Sequence, residues 1–227
     1  MTLFIIGDKE NDMKKKAIIF DLDGTLLNTD LLIKNSFIHT FEKYKPGYTL
    51  SEKELLSFLG PSLYDTFSCY FPQSMVQELI AYYRQYNLKH HEDFVTIYPG
   101  VQDTLAYLQK QGYPMAVVTT KMKDVALLGL KMFALTDYFE TVIGHDDVQR
   151  SKPDPEGILM ALDRLQCQDG YYIGDNITDI LAGKNAKLKT IGVKWSPKGY
   201  ELMAKENPDL LIDHFSEIID FIKELTI

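Results

Sequence analysis

Nine residues, Ala17 to Thr25 (AIIFDLDGT), constrain this chain more than any other stretch of it. The apolar run Ala17 to Phe20 describes a strand covered on both faces, and such a strand belongs in a parallel sheet layered between helices. It ends abruptly on Asp21, Leu22, Asp23, Gly24 and Thr25. Ligands of an open parallel sheet bind at the carboxyl ends of its strands. Two carboxylates placed two residues apart at such an end repel one another unless a cation lies between them. The same D-x-D-G is also what an ordinary Asx turn looks like, so other stretches must decide.

The remaining chain supplies the partners of that strand. From Pro99 onward helices and strands alternate: helix Gly100 to Gln111, strand Met115 to Thr119, helix Asp124 to Phe133, strand Thr141 to Ile143 and helix Asp154 to Leu165. Strand Tyr171 to Ile173, helix Asp179 to Ala186, strands Thr190 to Val193 and Leu210 to Ile212, and helix Ser216 to Leu225 complete it. This alternation predicts an α/β fold with a doubly wound parallel sheet. Between the first strand and Pro99 the spacing is helical throughout, with no strand expected. Leu31, Leu32, Asn35, Ile38 and Phe41 mark one helix; Leu55, Leu56 and Leu59 follow a Ser51-x-x-Glu54 capping box; helical spacing resumes through Leu63 to Phe71, and Met75 to Tyr86 mark a long fourth stripe. The expected division is therefore a core of residues 1–28 and 98–227 with a helical bundle of 29–97 inserted after the first strand.

Composition narrows the function. Lys and Arg number 24 against 32 Asp and Glu, a net charge of −8, which argues against a nucleic-acid surface or an anionic membrane as partner. Two cysteines, Cys69 and Cys167, are too few for a disulfide framework, and the pair His90 and His91 lacks the H-x-x-x-H spacing of a zinc helix. No run approaches the roughly 18 apolar residues of a membrane span, and the amino terminus has no basic leader before its short apolar patch. A cytoplasmic setting is expected, with residues 1–12 as an extension ahead of the first strand.

Three later stretches carry chemistry. Thr119-Thr120-Lys121 sits at a strand's end, where a hydroxyl beside backbone amides can hold a phosphoryl oxygen; threonine is equally an ordinary strand residue. Ser151-Lys152-Pro153-Asp154-Pro155 presents a lysine on a backbone stiffened by two prolines, suited to orienting a carboxylate, although an arbitrary lysine before a helix is usually just exposed. Tyr172 to Asp179 places Asp175 at a strand edge and Asp179 one helical turn on, where both can approach one hard cation or merely cap a helix.

Together and in this order, these stretches resemble the four signatures of the haloacid dehalogenase superfamily, most of whose members are magnesium-dependent phosphohydrolases. The resemblance implies that Asp21 is the nucleophile and Asp23 the general acid and base, that Thr119 and Lys152 hold the phosphoryl group, and that Gly24, Thr25 and Thr120 border the substrate. It implies a Mg2+ site made of Asp21, Asp23 through its backbone carbonyl, and Asp175, with Asp179 supporting it. The bundle corresponds to the helical cap of that superfamily. Presence of the acid at Asp23 is similar to the phosphatase branch rather than to enzymes that attack carbon. The histidine of the β-phosphoglucomutase-like branch would fall at Ile33, so hydrolysis is expected over phosphoryl exchange.

Within the superfamily, Phe58 to Leu63, Tyr83 to Asn87 with His90-His91, Thr119 to Lys121, and Gly192 to Trp195 with Lys198-Gly199 resemble the phosphoglycolate phosphatase-like group, and in it the inorganic pyrophosphatases. Pyrophosphate is the expected substrate, with phosphoglycolate or another small phosphate monoester as the alternative. A leaving phosphate needs donors from the cap, and Gly60-Pro61-Ser62 and Arg84 are the candidates, with Lys121 and His90 behind them. The molecule is expected as a monomer or dimer. A catalytically idle binding module on the same fold is the rival of another class; the intact acids and lysine argue against it.

Overall fold

The computed structural model describes residues 16–224; the extension expected at residues 1–12 lies outside them. β1 (Ala17–Phe20) is buried along its whole length. Its pleat divides the interior in two: Ile18 and Phe20 enter one hydrophobic core, Ala17 and Ile19 the other.

After the acidic loop come β2 (Leu27–Asn28) and the helices α1 (Asp30–Tyr44), α2 (Glu52–Ser57), α3 (Leu63–Ser68), α4 (Val76–Lys89) and α5 (His91–Phe94). β3 (Thr96–Ile97) then brings the chain back and pairs antiparallel with β2, Leu27 opposite Ile97. The expectation of an insert without strands is thus corrected: the two tethers hydrogen-bond to each other, in strands too short to show a period-two pattern. The insert has its own core of Phe37, Phe41, Phe58, Phe67 and Tyr83, with the Phe37 ring centroid 4.6 Å from that of Phe58 and 4.7 Å from that of Tyr83. The capping box at Ser51 and Glu54 opens α2 as the spacing predicts. Leu31, read onto the apolar stripe of α1, is instead exposed.

The rest of the chain alternates: α6 (Val101–Lys110), β4 (Met115–Val118), α7 (Lys123–Met132), β5 (Thr141–Ile143), α8 (Glu156–Arg164), β6 (Gly170–Gly174), α9 (Ile177–Asn185), β7 (Lys189–Val193), α10 (Glu201–Ala204), β8 (Leu210–Ile212) and α11 (Glu217–Glu224). Six parallel strands form one sheet in the order β5-β4-β1-β6-β7-β8. Apolar residues of α6, α7 and α11 cover one face, and those of α8 and α9 the other. The chain leaves β1 toward β4 and β5 and later returns to β6 on the other flank, so the winding reverses at β1. A crevice opens at such a reversal. Helix starts shift by a turn or less from expectation. α8 begins at Glu156 rather than Asp154, because the Asp154 carboxylate accepts from the Glu156 amide. α9 begins at Ile177, two residues early, with Asn176 at its cap. Among the described residues no helix is long and apolar enough to cross a membrane.

Candidate active site

The loops after β1, β4 and β6 meet in that crevice beneath the insert, around a cavity of about 600 Å3. β1 runs straight into Asp21, whose amide still donates to the Ile173 carbonyl of β6 at 2.8 Å, so its side chain is delivered by the sheet itself. Asp21, Asp175 and Asp179 are all buried and offer carboxylate oxygens within 4.8 Å of one another. Lys152 reaches them from the loop before α8, its Nζ donating at 2.6 Å to Asp21 Oδ1 and at 2.6 Å to Asp179 Oδ1.

Charge is unbalanced in this pocket. Burial pushes the Asp21 carboxyl well up, against the pull of Lys152, and the neighbouring Asp179 and Asp175 push it further. Burial likewise raises Asp175, opposed by Lys198. Lys152 is driven in the opposite sense: burial works to lower it, yet Asp179 and Asp21 carry it well above the usual lysine value. Acids held above their ordinary range by desolvation are ionised when a further positive charge arrives.

The donor set fits a hard divalent cation. Asp21 Oδ2 and Asp175 Oδ1 accept no hydrogen bond among the described residues, whereas the other oxygen of each is held by Lys152 or by Ser196 and Lys198. Both oxygens of Asp179 already accept a hydrogen bond, Oδ1 from Lys152 and Oδ2 from the Asn176 amide at 3.0 Å, so Asp179 braces Lys152 beside that pair. Gly24 lets the loop after β1 come close to Asp175, since a Cβ there would lie 2.5 Å from Asp175 Oδ2, at a φ of +83° that favours glycine.

Of the other residues singled out from sequence, Asp23, Thr120, Gly60, Pro61, Ser62 and Arg84 line the cavity. Both oxygens of Asp23 accept from Lys121 Nζ, at 2.8 and 3.0 Å, so Lys121 is paired with the core acid. Thr119 is buried behind Thr120, its Oγ1 accepting from the Lys121 amide. Gly24 and Thr25 are corrected as substrate contacts. Gly24 spends its amide on the Leu27 carbonyl and its carbonyl on Trp195 Nε1, and Thr25 is fully buried away from the cavity. His90 is bonded to Asp93 at 2.8 Å outside the cavity. Arg84 is exposed at the cavity's cap wall and makes no hydrogen bond or ion pair among the described residues.

Three contributors were not found from sequence. Asp30, at the start of α1, lines the cavity, and its carboxyl is pushed up to about 6 by burial and then by Asp175. Ser196 and Lys198, after β7, both hold Asp175. An acid in a helix's first turn and a Ser-x-Lys in a loop carry no pattern that separates them from surface residues; only the K-G pair at 198–199 drew attention, through resemblance.

A nucleophile-grade carboxylate at a strand end, a second acid two residues on, a buried lysine and a cation-ready pair of oxygens define a hydrolase acting on phosphoryl groups. Residues 18–193 match the family model of the haloacid dehalogenase-like hydrolases, and the chain belongs to that family. It is similar to a pyrophosphatase PpaX of Listeria monocytogenes, 42% identical over 213 residues spanning 93% of this chain and 98% of that protein. It is similar also to a pyrophosphatase PpaX of Bacillus pumilus, 43% identical over 92% of this chain and 97% of that one. The fold matches the solved haloacid dehalogenase-like hydrolase from Streptococcus pneumoniae with a TM-score of 0.82 at 24% identity, over 92% of this chain and 98% of that structure. This chain is therefore a phosphohydrolase with an α/β core and an inserted helical cap.

Proposed function

We propose that this phosphohydrolase cleaves inorganic pyrophosphate with Mg2+, by way of a phosphoryl group carried on Asp21. The observation that carries the reading is Lys152 gripping Asp21 and Asp179 at 2.6 Å each, beside Asp175 in a buried pocket. In the first step the Asp21 carboxylate attacks the nearer phosphorus, the P–O bond to the bridging oxygen breaks, and the electron pair leaves with the departing phosphate. In the second, a water attacks the phosphoryl group on Asp21 while Asp23 takes its proton, restoring the free carboxylate. Asp21 and Asp175 would hold the cation, which supplies neutralising charge to the transferred group. Lys152 keeps Asp21 in line, Thr120 borders the phosphoryl oxygens, and Thr119 steadies that loop by accepting from the Lys121 amide.

Three observations support the anhydride over a sugar phosphate. Arg84 is a cation on the cap wall that pairs with no acid among the described residues, placed where the leaving phosphate needs one. Ile33 lines the cavity, so the cap offers no imidazole there to shuttle a proton between sugar hydroxyls. Asp23 has both oxygens engaged by Lys121, and a departing phosphate needs less protonation than a departing alkoxide. Both PpaX relatives bear the name pyrophosphatase, which points the same way. The division at residues 29–97, with the cap moving on the paired tethers, belongs to this reading, as does a cytoplasmic setting, supported by a cysteine count of only two.

The test is phosphate release from pyrophosphate, phosphoglycolate and p-nitrophenyl phosphate in Mg2+, compared by kcat/KM. Pyrophosphate is expected to lead, Asp21→Asn to abolish release from all three, and Arg84→Met to lower kcat/KM about tenfold or more on pyrophosphate alone. A lead for phosphoglycolate would replace the substrate, and an active Asp21→Asn enzyme would sink the mechanism.

A further inference from the structure

The cap is held to the core through one of its backbone oxygens. The Leu59 carbonyl, just past the end of α2, accepts from Asn176 Nδ2 at 3.2 Å and from Lys198 Nζ at 3.0 Å. That same ammonium lies 3.2 Å from Asp175 Oδ2, which Ser196 Oγ also holds at 2.9 Å. Lys198 is thereby anchored in the core by a carboxylate and a neighbouring hydroxyl system before it reaches across to the cap. The next cap residue is shaped for this approach. Gly60 has a φ of +111°, and a Cβ on it would lie 1.7 Å from Asn176 Nδ2 and 3.5 Å from Lys198 Nζ. Only a residue without a side chain lets the turn come down so far.

We propose that Lys198, anchored on Asp175, is a positioning residue that clasps the cap over the cavity through the Leu59 carbonyl, with Asn176 as the second half of the clasp. A hydrogen bond from a charged donor is stronger than a neutral one, and this one joins Leu59 of the cap to Lys198 of the core at the wall of the cavity that both line. Opening the cap costs both bonds, and removing Lys198 leaves the carbonyl to one amide. The clasp favours the closed form whatever leaving group is bound, so it rests on the phosphohydrolase class and not on pyrophosphate.

The protein carries its own reporters. Trp195 is its single tryptophan, in the core, and Cys69 is an exposed thiol on the cap. With Cys167→Ser as background, a dye on Cys69 accepts energy from Trp195, and the donor lifetime of labelled against unlabelled protein reports cap position for each variant separately. Lys198→Met is expected to lower the transfer and to raise KM for p-nitrophenyl phosphate about tenfold, with kcat changed much less. Lys198→Arg, which keeps the charged donors, restores both. Gly60→Ala lowers the transfer by pressing a methyl group against Asn176 Nδ2 with every core residue left unsubstituted, and serves if Lys198→Met does not fold. Transfer unchanged from wild type in either variant overturns the clasp, as does a Lys198→Arg protein that behaves like Lys198→Met. A change in pyrophosphate preference alone bears on the substrate and leaves the clasp standing.

Discussion

Asp30 illustrates how much a single carboxyl feels the charge of this site. It lines the cavity, and burial followed by Asp175 lifts it to about 6 from an ordinary value near 4. The unfolded chain therefore releases this proton earlier, and the stability that Asp30 lends is complete below about pH 4 and lost as pH rises through about 6. Asp30→Asn is expected to raise the melting temperature at pH 8 and to leave it unchanged at pH 4. The gain is about 1 kcal/mol once the partial exposure of the group is discounted. Equal shifts at both pH values would show that the carboxyl is not perturbed in this way. Asp21 and Asp175 were legible beforehand because each lies at the end of an apolar run, and Lys152 because two prolines stiffen the backbone that presents it. Asp30 was not, since nothing local distinguishes an acid facing a cavity from one completing a helix's first turn.

The elements divide between a sheet that sets the chemistry and a bundle that sets access to it. The bundle is small, and aromatic rings dominate its core: Phe37 is fully buried, with its ring 5.3 Å from that of Phe67 as well as near Phe58 and Tyr83. Phe37→Ala removes the centre of that cluster at a cost of about 3–5 kcal/mol. Because the parallel sheet has separate cores on its two faces, the loss falls on the insert, and limited proteolysis is expected to cut within residues 45–90 before it cuts the sheet. Simultaneous cleavage of core and insert would mean that the two fold as one unit. Spacing alone identified these helices and the capping box at Ser51. It missed the β2–β3 ribbon, because two residues per strand carry no periodicity and the pairing joins positions 27 and 97.

Across the whole molecule the balance is acidic, with a net charge of −8, and the densest buried acids are gathered at one point. A cation that binds the folded site and not the unfolded chain stabilises the fold by mass action, by about 2.7 kcal/mol at a hundredfold excess over its Kd. Mg2+ is expected to raise the melting temperature, a chelator to reverse the rise, and Asp175→Asn to remove most of it; a Mg2+-independent melting temperature in the wild type would place the cation elsewhere. The linear order of residues determined the parallel sheet and picked out the acids and the lysine that meet in the crevice, because hydrophobic runs, the residues that end them and the prolines that frame a lysine are local properties. Only the tertiary structure decided which group each charge serves: Lys121 on Asp23, Asp179 on Lys152, Lys198 on both Asp175 and the cap. Those contacts join groups as far as 98 and 139 residues apart. Their partners are chosen by where the sheet's winding reverses and how closely Gly24 and Gly60 let backbones approach, which no window of sequence contains.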